Sequence, residues 1–419
     1  MKAGFLIIAS EVLNGKISDV NNQALARFLR TYSVDIEKTV IVKDSFPAIH
    51  KALRDLLEEC DFIVTSGGLG PTKDDLTKDA LGSFFGKKTL FSEEAMAIAE
   101  KNYEKFGRPF AGKEHGYCFL PENFIALNNP TGFAPGLFYE EKGKSILCGP
   151  GVPREFRGIL EEHLEKLILS KRKSENEFRL VNIRTKRIPE EKIFGEVDKT
   201  LWNKLEGYGE VSSLPNYLGV DVGVKIFGKN KDELDRKEKE ILSIIDHSPL
   251  KPSVWHIGLE SIEEIVLAGA IKLGITFGFA ESATGGLCAH RITSVPGSSA
   301  VFMGSIVSYD NSVKSNVLAV KPATLAVHSA VSLETAKEMA KGAREKLKVD
   351  IAVSVSGIAG PGGGTPEKPV GFVCVGVSSR LGTEGFETKL FGDREQLKFR
   401  FSQQVLMTLI ETMEKIAGS

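Results

Sequence analysis

Apolar and polar positions alternate along the first 170 residues in a way that predicts strands and helices in turn. The segments that predict strands or helices are, in order, 4–9, 22–30, 40–42, 49–59, 62–65, 145–147 and 154–169. Short apolar runs are typical of buried strands, and segments with helical periodicity are typical of amphipathic helices. Their alternation indicates βαβ units and a parallel sheet. We therefore predict a doubly wound α/β domain.

A charged run at 171–177, KRKSENE, separates this region from the next one and predicts a solvated linker. Residues 178–247 have the pattern of a strand at 180–185, a helix at 189–205, strands at 209–214 and 220–227, and a helix at 231–245, which indicates a small α+β unit. Further on, a helix at 262–273 and strands near 275–280, 350–356 and 370–378 indicate a second large α/β region. We therefore predict three domains, at 1–170, 178–250 and 257–419.

Composition narrows the classes of function. A chain of 419 residues is longer than one hydrophobic core usually serves. With 54 basic and 55 acidic side chains, the net charge of −1 gives no global electrostatic reason for binding nucleic acid or membrane. Five widely spaced cysteines form no disulfide framework or zinc-binding pattern. No stretch approaches the ~20 apolar residues of a membrane span. A soluble, cytoplasmic protein is expected.

The strand at 275–280 leads directly into the motif ESATGG at 281–286, followed by a helical segment. Ligands of open parallel sheets bind beyond the carboxyl ends of strands, where helix N-termini offer N–H groups to anions. The hydroxyls of Ser282 and Thr284 can donate to phosphate or attack a carbon, and two glycines allow a ligand close approach. An ordinary helix N-cap is the alternative interpretation.

A second strand, at 351–355, ends in the glycine-rich loop SGIAGPGGGT at 356–365. Such a loop can expose a row of backbone N–H groups as an anion nest, although a plain surface loop is the alternative. Lys314 can take the proton of a serine if burial lowers its pKa, and a solvated surface lysine is the alternative here. Arg394, before the last helix, suits a phosphate or a developing oxyanion.

These motifs, with KPVG at 368–371, resemble the C-terminal domain of CinA proteins over about residues 257–416. The resemblance implies deamidation of nicotinamide mononucleotide by a serine–lysine pair with an assisting arginine, here Ser282, Lys314 and Arg394, without a cofactor. The family's usual cysteine is Ala283 in this chain, so the serine must be the nucleophile. The implied substrate-binding residues are Thr284, Gly285, Gly286, Tyr309, Asn311, Gly357, Ala359, Gly360 and Thr365. Either glycine loop can hold the oxyanion while the other holds the phosphate.

The N-terminal region has a comparable pattern, because the strand at 62–65 ends in SGGLGPTKDDLT at 66–77. The glycine turn suits a phosphate. Glu11, Asp44 and Asp75 each follow one of the first three strands, so they should gather at one edge of a doubly wound sheet. Three converging carboxylates indicate a metal site, although Asp75 can instead cap the following helix.

Residues 1–165 resemble the molybdopterin-binding fold and, more closely, the N-terminal domain of CinA, through GGLGPTKDDLT at 67–77, NPTGFAPG at 129–136 and PGVPRE at 150–155. Ala9 stands where the family usually has glycine. The resemblance implies metal-dependent hydrolysis of ADP-ribose. It makes Glu11, Asp44 and Asp75 candidate ligands of a divalent ion, with a potassium ion as a further candidate. The implied phosphate-binding residues are Gly67, Gly68, Gly70, Thr72, Thr77 and Gly151.

Residues 178–247 resemble the KH-type middle domain of full-length CinA proteins but lack the G-x-x-G loop that clamps nucleic acid. Lys186, Arg187 and Lys192 form a modest basic cluster that we interpret as a solvated face, and the domain as a spacer or dimer element. A homodimer is expected.

Two hypotheses about function stay open. The first is a bifunctional enzyme that acts on nicotinamide mononucleotide and ADP-ribose. The second is a binding or regulatory protein of competence or DNA-damage response with one or both sites inactive. The missing loop and the balanced charge favour the enzyme.

Overall fold

The computed structural model describes residues 1–170 and 177–418, so the linker prediction lies almost entirely outside the described residues. The chain divides into two compact units. The first comprises Met1–Arg179 and Lys225–Glu240, and the second comprises Leu180–Val224 and Ile241–Ser419. The division into three domains stays a prediction.

The secondary structure of the described residues follows the chain order used below. The strands are β1 (Ala3–Ile8), β2 (Ile36–Val42), β3 (Phe62–Ser66), β4 (Thr89–Phe91), β5 (Phe119–Pro121), β6 (Ile125–Leu127), β7 (Gly136–Glu141), β8 (Lys144–Gly149), β9 (Glu177–Thr185), β10 (Gly209–Pro215), β11 (Val220–Gly228), β12 (Val254–Ile257), β13 (Phe277–Glu281), β14 (Phe302–Val307), β15 (Ile351–Gly357), β16 (Phe372–Ser379) and β17 (Gly382–Lys389). The helices are α1 (Ser10–Leu13), α2 (Asn21–Thr31), α3 (Phe46–Glu59), α4 (Thr77–Phe85), α5 (Glu93–Lys105), α6 (Pro153–Ile159), α7 (Glu165–Leu169), α8 (Glu190–Lys192), α9 (Leu201–Glu206), α10 (Lys231–Asp246), α11 (Ile262–Leu273), α12 (Leu287–Thr293), α13 (Asn311–Leu318), α14 (Pro322–His328), α15 (Leu333–Leu347) and α16 (Arg394–Ala417). A π-helical segment, Leu160–Leu164, joins α6 to α7, and another, Ile193–Val197, follows α8.

The first unit is built on a six-stranded sheet in the order β2-β1-β3-β8-β7-β6. The first four strands pair in parallel, and β7 and the edge strand β6 complete the sheet with antiparallel pairing. Along β1, Leu6 and Ile8 enter one core while Phe5 and Ile7 enter another, because successive side chains of a strand point to opposite faces. Burial on both faces explains the unbroken apolar run. The predicted doubly wound α/β architecture is confirmed.

The second unit contains a five-stranded sheet in the order β14-β13-β15-β16-β17. The central strand β13 pairs in parallel with β14 and β15, whereas β16 and β17 add an antiparallel hairpin. Parallel pairing brings the carboxyl ends of β13 and β15 side by side, with Glu281 opposite Val355. The site residues predicted after these two strands therefore share one edge of the sheet.

Helix boundaries follow local capping signals. Helix α11 has the predicted bounds because Ser261 and Glu264 form a capping box and Gly274 ends the helix at φ +63°. The helix predicted at 189–205 is wrong in part, since the segment breaks at 198–200. There Asp198 accepts hydrogen bonds from the backbone N–H of Thr200 at 3.2 Å and from the Ser248 hydroxyl at 2.7 Å. These contacts compete with the helical bonding pattern.

The middle segment contributes a four-stranded sheet in the order β10-β11-β9-β12. Its edge strand β12 pairs antiparallel with β9, although the predicted elements include no strand at these residues. All five cysteines are buried and free. Within residues 1–170 and 177–418, no helix has the length and apolar character needed to span a membrane.

Gly342 gives a test of the packing in the second unit. A Cβ at this position of α15 would lie 1.9 Å from the backbone oxygen of Leu318, so we expect Gly342→Ala to lower the free energy of unfolding by about 1–3 kcal/mol. At Gly269 of α11, the nearest atom to a new Cβ is the flexible Cε of Met413 at 3.4 Å. Gly269→Ala should therefore be neutral or stabilising. Equal thermal unfolding midpoints for the two variants would contradict this account.

Candidate functional site

Ser282 lies immediately after β13, at the carboxyl edge of the five-stranded sheet. Its backbone N–H donates to the Val355 oxygen at 3.0 Å, which ties the residue to the end of β15. The following helix, α12, begins at Leu287, and its N-cap is Gly286 with φ +97°. The alternative that Ser282 is an ordinary N-cap is therefore wrong, and its half-buried hydroxyl is available for other contacts.

The fully buried carboxylate of Glu281 organises the loop around Ser282. It accepts hydrogen bonds from five donors, which are the Thr284 hydroxyl at 2.7 Å, the Ser305 hydroxyl at 2.9 Å and the backbone N–H groups of Gly286, Cys288 and Ala289 at 3.0 Å each. The first-turn N–H groups of α12, which sequence reasoning offered to a substrate anion, are thus occupied by a protein carboxylate.

This arrangement changes the predicted role of Thr284. Its side chain is fully buried and its hydroxyl donates to Glu281, so it holds the loop and is not presented to a substrate. The backbone N–H groups of Ala283 and Thr284, in contrast, donate to no acceptor within the described residues. Both residues directly follow Ser282 in the chain. Backbone N–H donors beside a nucleophile can stabilise a developing oxyanion.

Lys314 is almost completely buried, with 1 % of its surface exposed. Its Nζ lies 3.2 Å from the Ser282 Oγ, 2.7 Å from the Ser308 carbonyl oxygen and 3.2 Å from the Tyr309 carbonyl oxygen. Burial lowers the pKa of Lys314, and the charge of Asp310 partly opposes this shift. The alternative of a solvated surface lysine is wrong.

Arg394, the first residue of α16, links the serine–lysine pair to the glycine-rich loop after β15. Its Nη1 donates to the Gly360 carbonyl oxygen and its Nη2 donates to the Tyr309 hydroxyl at 3.2 Å. Because the Tyr309 carbonyl accepts from Lys314, a continuous set of contacts runs from Ser282 to Gly360. The three predicted catalytic residues therefore belong to one site, and the remaining N–H groups of the exposed guanidinium can bind an anion.

The other predicted C-terminal residues have different surroundings. Gly357 lies under Phe401, with its missing Cβ position 3.0 Å from that ring, which indicates packing. Ala359 is buried, so only its backbone can serve a ligand. Thr365 is exposed and its Oγ1 accepts from the Lys368 N–H at 3.0 Å, and Asn311 is an exposed first residue of α13. The backbone N–H groups of residues 359, 360 and 362–364 donate to no acceptor within the described residues, as an anion nest requires.

Gly285 and Gly286 match the expectation of close ligand approach. Both have positive φ, at +62° and +97°. A Cβ at Gly285 would meet open space, with only the Nζ of Lys398 at 4.0 Å. Sequence reasoning missed Lys398, and its available signal was the spacing of four residues from Arg394, which places both cations on one face of α16.

Cys288 is the thiol nearest to the loop in sequence. It is fully buried, and burial raises its pKa well above the ordinary value, with a further contribution from the charge of Glu281. A thiol of this kind stays protonated and is a poor nucleophile. Ser282 is therefore the better nucleophile in this loop.

The first unit contains a cavity of about 500 Å³ at the carboxyl edge of its parallel strands. The predicted ligands Glu11, Asp44 and Asp75 all line it. Asp44 accepts from the Ser10 N–H at 3.0 Å and hydroxyl at 2.7 Å, and Asp75 accepts from the Thr72 N–H at 3.0 Å. Across the described parts of the chain, no three His, Cys, Asp or Glu side chains are grouped to hold a metal ion. The carboxylates thus fit a cation that arrives with phosphate and water ligands better than an all-protein metal site.

The glycines of the GGLG turn have a packing role that sequence reasoning did not anticipate. Missing Cβ positions lie 2.1 Å from the Ile8 carbonyl oxygen at Gly67, 2.2 Å from the Thr77 Oγ1 at Gly68 and 2.2 Å from an Asp75 carboxylate oxygen at Gly70. These glycines therefore let the turn close upon the protein itself. The hydroxyl of buried Thr77 donates a hydrogen bond to the Gly67 carbonyl oxygen at 2.8 Å.

Two further predictions for this turn have distinct outcomes. Gly151 has no protein atom near its Cβ position other than the Gly67 Cα at 3.5 Å, so it stays open to a ligand. Helix α4 has Leu76 as its N-cap, without a side-chain hydrogen bond. The capping alternative for Asp75 is therefore wrong, because its carboxylate binds Thr72 instead.

Sequence reasoning also left Tyr117 and Glu155 unassigned, although both line the cavity and Glu155 ends the PGVPRE motif.

Comparison with known proteins matches two regions of the chain. Residues 259–413 match the model of the CinA C-terminal domain, and residues 4–170 match that of a probable molybdopterin binding domain. The chain is 35% identical over 404 residues to a putative competence-damage inducible protein of Acetivibrio thermocellus, with 95% of each chain covered. It is 33% identical over 425 residues to a CinA-like protein of Chlorobaculum tepidum, which covers 99% of this chain and 100% of the relative.

A crystal structure of the competence/damage inducible protein CihA from Agrobacterium tumefaciens is 37% identical in sequence. The match covers 38% of this chain and 98% of the chain in the crystal structure, with a TM-score of 0.35. The two full-length relatives span nearly the whole chain, and the two family models match its two α/β regions in order. The chain therefore belongs to the CinA family, with a molybdopterin-binding-type N-terminal domain and a CinA C-terminal domain.

Proposed function

We propose that the second unit is an amidase that hydrolyses nicotinamide mononucleotide to nicotinic acid mononucleotide and ammonia. The observation that carries the proposal is the 3.2 Å distance between the Lys314 Nζ and the Ser282 Oγ in a buried setting. A neutral amine has two N–H donors and one lone pair. Carbonyl oxygens only accept, so the carbonyls of Ser308 and Tyr309 take both donors. The lone pair is then directed to the Ser282 hydroxyl.

The chemistry follows from this geometry. The Ser282 Oγ attacks the carboxamide carbon while its proton passes to the Lys314 amine. The N–H groups of Ala283 and Thr284 stabilise the oxyanion, and the carbon–nitrogen bond breaks as Lys314 returns the proton to the departing nitrogen. Water then attacks the acyl-serine and gives a proton to Lys314. Lys314 passes that proton to the Ser282 Oγ as the bond between that oxygen and the acyl carbon breaks and the acid is released. No step needs a metal or a redox cofactor.

The nucleotide phosphate requires donors away from the reacting carbon. Arg394, Lys398 and the free N–H groups of the loop at 359–364 supply positive charge and hydrogen-bond donors. The identity of the substrate comes from the family resemblance, whereas the serine–lysine–arginine arrangement supports the reaction type. We assign the loop after β15 to the phosphate and the loop after β13 to the oxyanion.

We further propose that the first unit hydrolyses ADP-ribose to AMP and ribose 5-phosphate. The cavity of about 500 Å³, its Gly151 opening and its carboxylates support this proposal. Glu11, Asp44 and Asp75 would share a divalent ion with the pyrophosphate, and that ion would neutralise phosphate charge when bound. A regulatory protein with inactive sites would show neither reaction in the assays below.

Replacement of Ser282 tests the nucleophile. We expect Ser282→Ala to reduce ammonia release from nicotinamide mononucleotide by at least about 10³-fold, because the acyl intermediate cannot form. ADP-ribose hydrolysis by the same preparation should be unchanged. Ser294→Ala is the matched control, since the Ser294 hydroxyl donates to the His290 carbonyl of α12 at 2.7 Å. Normal deamidation by Ser282→Ala would rule out the proposed mechanism.

The pH dependence tests the base. Lys314 acts as a neutral amine, so kcat/KM for deamidation should rise with pH through its lowered pKa. The Asp310 charge raises that pKa, so Asp310→Asn should move the rise to lower pH by about 0.2–0.7 units, the size of an exposed charge interaction. Asparagine can still accept from the Ser312 N–H and cap α13. The distant exposed Glu345→Gln should cause no shift, and a shift to higher pH in Asp310→Asn would contradict Lys314 as the base.

Asp75 tests the N-terminal site. Asp75→Asn keeps an acceptor for the Thr72 N–H but removes a negative charge from the cavity. We expect ADP-ribose hydrolysis to fall by about 10²-fold or more, with a smaller response to added divalent metal, and deamidation to stay unchanged. Asp79→Asn, outside the cavity lining, is the control. Parallel loss of both activities would instead indicate a folding defect.

A further inference from the structure

Glu155 is a cavity carboxylate to which no role has yet been given. It lies in the first turn of α6, half-buried, and lines the same cavity as the predicted metal ligands Glu11, Asp44 and Asp75. Asp44 accepts a hydrogen bond from Ser10, and Asp75 accepts one from Thr72. Glu155 instead accepts a hydrogen bond from Asn129, which belongs to a different segment of the chain. That segment is the NPTGFAPG motif at 129–136.

Asn129 fixes the position of the Glu155 carboxylate. Its side chain is fully buried, and its Nδ2 donates to the Glu155 Oε2 at 2.7 Å and to the Ala134 carbonyl oxygen at 2.8 Å. Its Oδ1 accepts from the Thr131 N–H at 3.2 Å. A flipped amide would set its oxygen against two acceptors, so the orientation is determined. Asn129 therefore always presents a donor to Glu155.

Gly132 makes room for the same carboxylate. A Cβ at this position would lie 2.0 Å from the Glu155 Cδ, so any larger residue would displace the side chain. Arg154 and Thr131 add two contacts between the helix and the segment, since the Arg154 Nη2 donates to the Thr131 oxygen at 2.7 Å and the Thr131 hydroxyl donates to the Arg154 oxygen at 2.9 Å. The Glu155 carboxylate is thus positioned by the buried Asn129 amide, by the space at Gly132 and by the two hydrogen bonds between Thr131 and Arg154.

The electrostatic setting of Glu155 differs from that of an exposed carboxylate. Burial raises its pKa above the ordinary value, while hydrogen bonds from Asn129 and the backbone of residues 133 and 134, and the charge of Arg154, limit the rise. Tyr117, which also lines the cavity, stays protonated because burial raises its pKa, and the charges of Glu155 and Asp75 both add to that effect. Glu155, Asp75 and Tyr117 all line this cavity and therefore border a common space.

We propose that Glu155 is the general base of the N-terminal site, with Asn129 and Gly132 as its positioning residues. The inference rests on the proposed pyrophosphatase function of this unit. The oxygen of a water molecule forms a bond to one phosphorus of the pyrophosphate while one of its protons passes to the Glu155 carboxylate. The bond from that phosphorus to the bridging oxygen breaks, and its electron pair stays on the departing phosphate. Glu155 then releases the proton to solvent.

The variant Glu155→Gln separates this role from a structural one. A glutamine oxygen still accepts from the Asn129 Nδ2, so the contact that seats the side chain is kept while proton acceptance is lost. We expect kcat for ADP-ribose hydrolysis to fall about 10²–10⁴-fold, the range of general acid–base catalysis, with KM changed by less than about threefold. The unmodified protein should show a decline of kcat toward acidic pH, and that decline should disappear in Glu155→Gln. Deamidation and the thermal unfolding midpoint should be unchanged.

A neighbouring pair provides the matched control. The Asn128 Nδ2 donates to both carboxylate oxygens of Glu162 at 2.9 Å, which repeats the amide–carboxylate contact outside the cavity lining. Glu162→Gln should leave both activities unchanged. Gly132→Ala keeps the Glu155 carboxylate but displaces it, so kcat for ADP-ribose hydrolysis should fall. The kcat that remains should still decline toward acidic pH, because the base is still present.

Each contrary outcome has a separate meaning. If the unmodified protein hydrolyses ADP-ribose and Glu155→Gln retains its kcat, the general-base assignment is overturned and the proposed function stands. A loss confined to KM would make Glu155 a substrate-binding residue and would likewise overturn the assignment. If the unmodified protein with divalent metal does not hydrolyse ADP-ribose, the proposed function and the general base fail together.

Discussion

The proposed catalytic arrangement of the second unit depends on one buried polar group, the carboxylate of Glu281. An ionised carboxylate without water is costly unless donors surround it, and five hydrogen bonds meet that requirement. They join the end of β13 to the start of α12 and to β14, and so shape the turn that carries Ser282. The Glu281 carbonyl also accepts from the Ser308 N–H at 2.8 Å, and the Ser308 carbonyl accepts from Lys314. One residue thus positions both members of the reactive pair.

The two proposed sites share a similar turn but contain different reactive groups. Both place a glycine-containing turn after a parallel strand, yet the space left by the glycines is used differently. At Gly285 that space is open, as a ligand-binding turn requires, whereas at Gly67 and Gly68 it is filled by the protein's own oxygens. A neutral carboxamide suits a buried amine and a serine, while a pyrophosphate suits a polar cavity with carboxylates and a cation. Near-zero net charge for the whole chain is compatible with both, because each site creates its own local field.

Buried polar groups that position other groups recur in both units. Glu281 holds the loop of the nucleophile, and Asn129 holds the carboxylate that we propose as a base. Each is fully buried and forms multiple hydrogen bonds, because an unsatisfied polar group there would destabilise the fold. The polar atoms of such residues are occupied by protein contacts, and they restrict the neighbouring groups to a narrow range of positions.

Periodicity in the sequence was sufficient to predict the doubly wound architecture and the bounds of α11, because these follow from local patterns. The family resemblance, and not periodicity, implied that Ser282, Lys314 and Arg394 belong to one site. Periodicity did not indicate the antiparallel edge strand β6, which has only three residues, or the antiparallel edge strand β17, whose polar residues lack the signal of a buried strand. Nor could it show that Thr284 and Thr77 turn inward, that the glycines at 67, 68 and 70 are filled by protein, or that Asn129 clamps Glu155. Those properties depend on contacts between residues distant in sequence or on the direction of one side chain. Only the packed tertiary structure determines which donors and which space remain for a ligand.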